Sequence, residues 1–414
     1  MNSIFSNYFI LFKNFFNIGI VQASSMLLQL LTVPVIIRQY GLTIFGEIAL
    51  STSVAYLFGN IINYGTNQTA VKYIAVSKSS NLKLAGLFSQ TLQLRCFVFV
   101  GSLLAVYTIS KFTFLNVLIW ISILPILLAE IFNPLFFLLG IEKVQWLSWN
   151  VLVARILSFL MIIFLYIDYH TAFFLNLFVG VPLLLVYVSL LVFIIFKYKI
   201  RIRVVSIKVL INQLVNNFYV TFNGSIGMLQ QSIFLFFVAS SFNSTIIGAY
   251  GLVDKILNAF RQLVSAFSSA IYPRAAVLYN MGKFNWLKFR KNIQIGYLLC
   301  SVLTGIVLFI FPQQLVRLIS KDVNIYAVEF TRLLSFAFIF LSLNANNIID
   351  LLLAEKFKSM FYISIAILFS TLLISYILSK DYVQLSIGWY PFLIEATCFL
   401  IYTFAIKKLK LHAV

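Results

Sequence analysis

Five basic residues lie inside long apolar stretches: Arg95, Arg155, Lys255, Arg261 and Arg332. A cation in mid-bilayer costs at least about 2.5–3.5 kcal/mol on insertion scales. Each one therefore needs a carboxylate, a water path or a route to the interface. Arg332 has Glu329 one turn earlier on its own helix. Lys255 adjoins Asp254, and Arg155 sits about two turns from a helix end, so both can snorkel outward. Arg95 and Arg261 fall nearer mid-span. They are the leading candidates for holding an anionic substrate, with Arg155 and Lys255 in support. The planar guanidinium offers phosphate two parallel hydrogen bonds.

The carboxylates of the apolar stretches are Glu130, Asp254, Glu329, Asp350 and Glu395. Asp254 lies two turns before Arg261, about 10 Å along the axis, too far for a direct pair within one helix. Asp254 and Glu130 are the candidates for carrying a coupling proton or sodium ion. The rival role for both is structural pairing with an arginine of a neighbouring helix.

Uncharged polar residues recur at helical spacing. Gln22, Ser25, Gln29 and Thr32 form one row. Ser53, Tyr56, Asn60, Asn63 and Asn67 form a second. Asn216, Asn223, Gly227 and Gln230 make a third, and Asp254, Asn258, Arg261, Ser265 and Ser268 a fourth. Steps of three and four residues put each row on one helix face. Such rows either line water or glue helices together. Four rows at equivalent places favour a hydrated cavity, with Gln22, Ser25, Gln29, Asn60, Asn63, Asn223, Gln230 and Asn258 along it.

The elements that position these residues are transmembrane helices. Of 414 residues, 62% are hydrophobic and 10% charged, far below the roughly 25% charged residues of soluble domains. A span needs about 20 apolar residues. Twelve helices are predicted, near 14–37, 45–66, 84–110, 114–139, 147–167, 172–196, 210–239, 246–270, 293–312, 326–353, 358–379 and 383–406. The seventh and tenth are long enough to extend beyond the bilayer or break. The first apolar stretch is too long for a signal peptide and lacks a cleavage site. The expected fold class is all-α, a polytopic membrane protein.

Net charge is +19, but the positives sit in short connectors, so topology and anionic lipid account for them rather than nucleic acid. With the N-terminus in the cytoplasm, twenty Lys and Arg fall on that side and five on the other. That bias predicts a multi-pass protein of the inner membrane with both termini cytoplasmic. The most basic connector divides the chain into a six-helix bundle over 1–196, a linker over 197–209 and a second bundle over 210–414. Echoes cross the divide: Thr43-Ile-Phe-Gly46 with Thr245-Ile-Ile-Gly248, and Leu138 to Lys143 with Leu351 to Lys356. Six spans per half imply a parallel repeat about the membrane normal.

Cys96, Cys300 and Cys398 stand at no ligand spacing. No metal, cofactor or catalytic motif is expected, and the protein reads as a transporter rather than an enzyme.

The sequence resembles the Wzx-type O-antigen flippases, polysaccharide-unit flippases of the multidrug/oligosaccharidyl-lipid/polysaccharide exporter superfamily. The matching pieces begin with Pro34-Val-Ile-Ile-Arg38-Gln-Tyr-Gly41-Leu-Thr-Ile-Phe-Gly46 and Asn63-Tyr-Gly65. They continue with Asn133-Pro134-Leu-Phe-Phe-Leu-Leu-Gly140-Ile-Glu142-Lys143, Ile247-Gly248-Ala-Tyr250 and Ala270-Ile-Tyr-Pro273. The resemblance implies two six-helix bundles, a cationic cavity and alternating access. It implies an undecaprenyl-diphosphate-linked oligosaccharide as substrate, membrane lipids around it, and glycan polymerase and chain-length proteins as partners. Related members often carry an acidic residue in the seventh helix, where this chain has Gln230-Gln231. Two alternatives stay open: a cation-coupled exporter of drugs or metabolites from the same superfamily, and a membrane glycan polymerase or ligase.

Overall fold

The computed structural model describes the backbone of residues 2–77, 80–112, 117–141, 143–165, 171–320, 323–354, 356–380 and 384–409. Side chains are described over most of that range; those of Gln22, Ser25, Gln29 and Asn223 lie outside it. The described chain is helical, and its helices follow the twelve predicted spans in order. The fold is all-α, and the protein is a multi-pass membrane protein.

The first two spans run as one helix, α1 (Asn2–Asn63), interrupted at Gly41 with φ 83°. That left-handed φ is open to glycine at little cost. Then come α2 (Thr66–Val76) and α3 (Asn81–Ser110). The fourth span is broken into α4 (Val117–Ser122), α5 (Leu124–Phe132) and α6 (Leu135–Gly140). The fifth and sixth are α7 (Val144–Phe164) and α8 (Thr171–Lys197). The seventh and eighth are α9 (Ile207–Ser241) and α10 (Ser244–Asn280). The ninth is α11 (Lys283–Ile310), followed by a short α12 (Pro312–Ile319). The tenth is α13 (Ile325–Leu334) and α14 (Ala337–Leu353), bent by 40° at the join. It is one of the two spans long enough to break. The last two are α15 (Phe357–Lys380) and α16 (Tyr390–Lys408), the latter entered through a 3₁₀ turn, Gln384–Trp389.

Among the described residues eight helices are long and apolar enough to cross a membrane, and nine if the bent pair counts as one span. The outward surfaces carry Leu104, Tyr107, Phe164, Phe196, Leu303, Phe369 and Phe404, all strongly exposed. So much apolar surface would be untenable in water and is suited to lipid.

The chain forms two compact units. Unit 1 is Met1–Ile36 with Ser51–Met228; unit 2 is Ile37–Leu50 with Leu229–Val414. The change of unit falls within the seventh span rather than in the basic linker, and a 14-residue piece of α1 belongs to the second unit. The reason for that exchange is backbone contact. A Cβ on Gly46 would stand 2.2 Å from the Ser244 carbonyl oxygen, and one on Gly248 would stand 2.0 Å from that of Leu42. Two glycines thus let α1 and α10 touch backbone to backbone, in the manner of small-residue crossings in membranes. Thr43 and Thr245 hydroxyls, 3.1 Å apart, flank the crossing. Arg38 donates to the Leu318 carbonyl nearby.

Within unit 1 the core is Phe88, Phe136, Phe137, Leu138, Ala154 and Ile194, all buried. Phe88 meets Phe137 edge to face at 5.5 Å between ring centroids. In unit 2, Phe234 stacks on Tyr390 at 3.6 Å and meets Tyr250 edge-on at 4.7 Å, tying α9, α10 and α16 together.

Candidate functional site

In unit 1 the charged centre is built on a broken helix. Pro134 has no N–H and cannot continue α5. Asn133 turns extended, with φ −61° and ψ 108°. The carbonyls before the break then lack their helical donors. Arg95, with no exposed surface, supplies replacements from α3. Its Nη1 donates to the carbonyls of Asn133 at 2.6 Å and Glu130 at 3.2 Å. Nη2 donates to Asn63 Oδ1 at 2.6 Å, Thr66 Oγ1 at 2.8 Å and Asn67 Oδ1 at 3.0 Å. Nε also donates to Thr66, and the guanidinium lies 4.9 Å from the centre of the Phe136 ring. Every nitrogen is engaged by the protein. The expectation that Arg95 holds substrate is therefore corrected: it staples α1, α2 and α3 to the broken fourth span.

The same geometry settles much of the second polar row. Asn63 and Asn67 serve Arg95. Asn60 donates to Ser225 Oγ on α9 at 3.1 Å. Tyr56 hydrogen-bonds Arg155. These bonds join helices inside unit 1, and Asn60 and Asn63 keep partial exposure beside them. Glu130 accepts from Asn133 Nδ2 at 3.0 Å. It sits against Gly59, where a Cβ would be 3.0 Å from its Cγ. Arg155 Nε is buried without a hydrogen-bond partner, and among the described residues no carboxylate pairs with it.

Unit 2 carries a second centre, on the α10 row. Asn258 Nδ2 donates to Asp254 Oδ2 at 2.9 Å, and Arg261 Nη1 donates to Asn258 Oδ1 at 3.3 Å. These are the four- and three-residue steps that one helix face provides. Arg261 then crosses to α16, where its Nη2 stands 2.7 Å and its Nε 3.2 Å from Glu395 Oε1. Asn344 of α14 offers its amide to Glu395 Oε2 at 3.5 Å and to the Glu395 carbonyl at 3.3 Å. The Arg261 side chain is 29% exposed and that of Glu395 8%: the guanidinium keeps an open side, and the carboxylate sits behind it. Lys255 is half-buried next to Asp254. The Gln230 carbonyl accepts from Tyr390 Oη at 3.1 Å.

Neither Glu395 nor Asn344 is among the predicted site residues. A lone carboxylate in an apolar span signals a buried partner, but Glu395 meets Arg261 across 134 residues, and no spacing reveals that. A third cluster lies at the start of α11, where Arg290 Nε and Trp286 Nε1 both donate to Asp350, each at 2.8 Å. Asp350 is 3% exposed, and the cluster ties α11 to α14. Each unit thus uses an arginine of its third span to secure its fourth. Glu329 and Arg332 pair on their own helix at 2.7 Å.

In unit 2 the open side of Arg261 can bind an anion, with the Asn258 amide beside it. Among the described residues no group of His, Cys, Asp and Glu could hold a metal.

The chain is similar to known transporters. A protein of Escherichia coli (strain K12) named as an O-antigen transporter is 23% identical over 270 residues, 63% of this chain. The match spans 64% of that relative's length. In fold the chain is similar to the lipid II flippase MurJ in an inward closed conformation, with TM-score 0.75 and 13% identity over 94% of this chain and 87% of that one. It is also similar to a multidrug resistance MATE family transporter of the MOP superfamily in an inward-facing conformation, with TM-score 0.73 and 14% identity over 94% and 96%. The family described as polysaccharide biosynthesis protein matches residues 11–278, well over half the chain, and the chain belongs to that family.

Proposed function

We propose that this protein is a flippase that carries an undecaprenyl-diphosphate-linked oligosaccharide, an O-antigen or similar surface-glycan unit, across the bacterial inner membrane by alternating access. The observation that carries this reading is Arg261. It is a guanidinium inside a membrane helix, partly open, with the Asn258 amide and the Asp254 carboxylate on the same face. An anion fits it, amides suit sugar hydroxyls, and the apolar helix faces suit a polyprenyl tail. Arg155, with a buried unpartnered Nε, is the second phosphate candidate. Membership of a polysaccharide biosynthesis family and likeness to a named O-antigen transporter support the substrate class.

Asp254 remains the proposed coupling group of unit 2, and Glu130 that of unit 1. Both termini are proposed to lie in the cytoplasm, with glycan polymerase and chain-length proteins acting on the product. The rival reading, a drug exporter, draws on the MATE likeness, which at 14% identity speaks for the fold alone.

Deleting the gene tests the proposal. The expected result is loss of surface glycan, accumulation of lipid-linked units in the membrane, and unchanged drug susceptibility. Intact glycan with raised drug susceptibility would overturn it in favour of the exporter.

A further inference from the structure

The Arg261–Glu395 pair is badly made for a permanent structural link. The guanidinium fork aims both Nη2 and Nε at one oxygen, Oε1, at 2.7 and 3.2 Å. The second carboxylate oxygen, Oε2, receives nothing from Arg261 and only a 3.5 Å contact from Asn344. The strong form of such a pair uses two parallel N–H···O bonds to two oxygens. Asn344 Oδ1, in a residue 5% exposed, has no hydrogen-bond partner. Arg261 faces outward more than its partner does, so an arriving anion meets the guanidinium first. A phosphate group offers several oxygens and more charge than one carboxylate, and can take the parallel bonds that Glu395 leaves unmade.

We infer that Glu395 is a tethered competitor for the substrate's phosphate, holding Arg261 when the carrier is empty and displaced when the diphosphate binds. The inference rests on the flippase reading above. The Asn344 amide, already near both Glu395 Oε2 and the Glu395 carbonyl, would receive the displaced carboxylate. Two consequences follow from the competition. An empty carrier keeps the charge of Arg261 balanced inside the apolar span, which lowers the cost of its return. A loaded carrier has a lowered apparent affinity, because only molecules with Arg261 free can bind, and this promotes release.

The test is binding and transport measured together. The probe is geranylgeranyl diphosphate, titrated onto the purified full-length protein in lipid nanodiscs, with geranylgeraniol as the uncharged control. Glu395→Gln keeps the shape and hydrogen bonding of the side chain but removes its charge. It should bind the diphosphate at least about tenfold more tightly than wild type, within the range of a close charge pair. The same variant should display less surface glycan in deletion cells at equal protein level, because release is slowed. A purely structural Glu395 would give the opposite sign in binding. If Glu395→Gln does not accumulate, Glu395→Asp shortens the carboxylate's reach and should tighten binding by a smaller factor.

Diphosphate binding that depends on Arg261 but is unchanged or weakened in both Glu395 variants would overturn the competitor and leave the flippase reading standing. Absence of diphosphate binding by wild type and by the Glu395 variants alike would overturn both.

Discussion

Arg95 shows how one side chain takes its role from a neighbour's backbone. Removing it orphans the carbonyls of Glu130 and Asn133, each at a cost of about 1–3 kcal/mol when buried. Arg95→Ala should therefore lower the melting temperature of the purified protein sharply, or reduce its accumulation in membranes. Unchanged melting would contradict the staple. The two mid-span arginines look alike in sequence and part company in structure. Arg95 was legible as a buried cation needing a partner, but the fourth span read as one helix over 114–139, and the break at Asn133-Pro134 was not anticipated. That the break lies against Arg95 depends on how α3 packs on α5, which periodicity does not encode. Arg261 kept its expected place on the α10 row beside Asn258 and Asp254 because that row is local to one helix. Its acidic partner Glu395 lies on α16 and was not legible.

At the scale of elements, the broken fourth span makes a prediction of its own. Pro134 is the reason Glu130 lacks its helical donor. Pro134→Ala restores an N–H four residues on. Added to Arg95→Ala, it should recover part of the lost stability, read in the same melting experiment. A double variant no better than Arg95→Ala would show that the proline break does not set the cost.

The crossing of α1 and α10 supplies a second element-scale prediction. With Thr43 and Thr245 hydroxyls 3.1 Å apart, Thr43→Cys and Thr245→Cys should form a disulfide under mild oxidation. The background must lack the chain's own free cysteines, Cys96, Cys300 and Cys398. Gly248→Leu, which forces a side chain into the Leu42 backbone, should abolish the cross-link. Overpacking of this kind costs about 1–3 kcal/mol where the structure yields. Persistence of the cross-link in Gly248→Leu would contradict backbone contact at this crossing. The helix echo Thr43-Ile-Phe-Gly46 and Thr245-Ile-Ile-Gly248 was visible as a repeat. Its meaning as the two sides of one contact required the fold, since each copy reads as an ordinary helix start.

At the scale of the whole molecule, twelve spans and an all-α membrane fold were legible because bilayer thickness sets helix length and composition together. The compact units were less so. A basic connector marks a topological midpoint, whereas the units follow from which helices touch, and the backbone contact of α1 with α10 goes with Ile37–Leu50 belonging to the second unit. Orientation rests on the connector charges, twenty positives against five. A reporter fused after Lys408 should be active only if it works in the cytoplasm, and a cysteine placed beside Lys111 should react with an impermeant reagent from outside. The reverse pattern would invert the proposed topology.

The central claim is that Arg261 binds the diphosphate of a lipid-linked glycan. Surface glycan should be measured in cells deleted for this gene and supplied with either wild type or Arg261→Ala at equal membrane abundance. Wild type should restore the glycan, and Arg261→Ala should leave the lipid-linked unit stranded in the membrane. Full restoration by Arg261→Ala would contradict the claim.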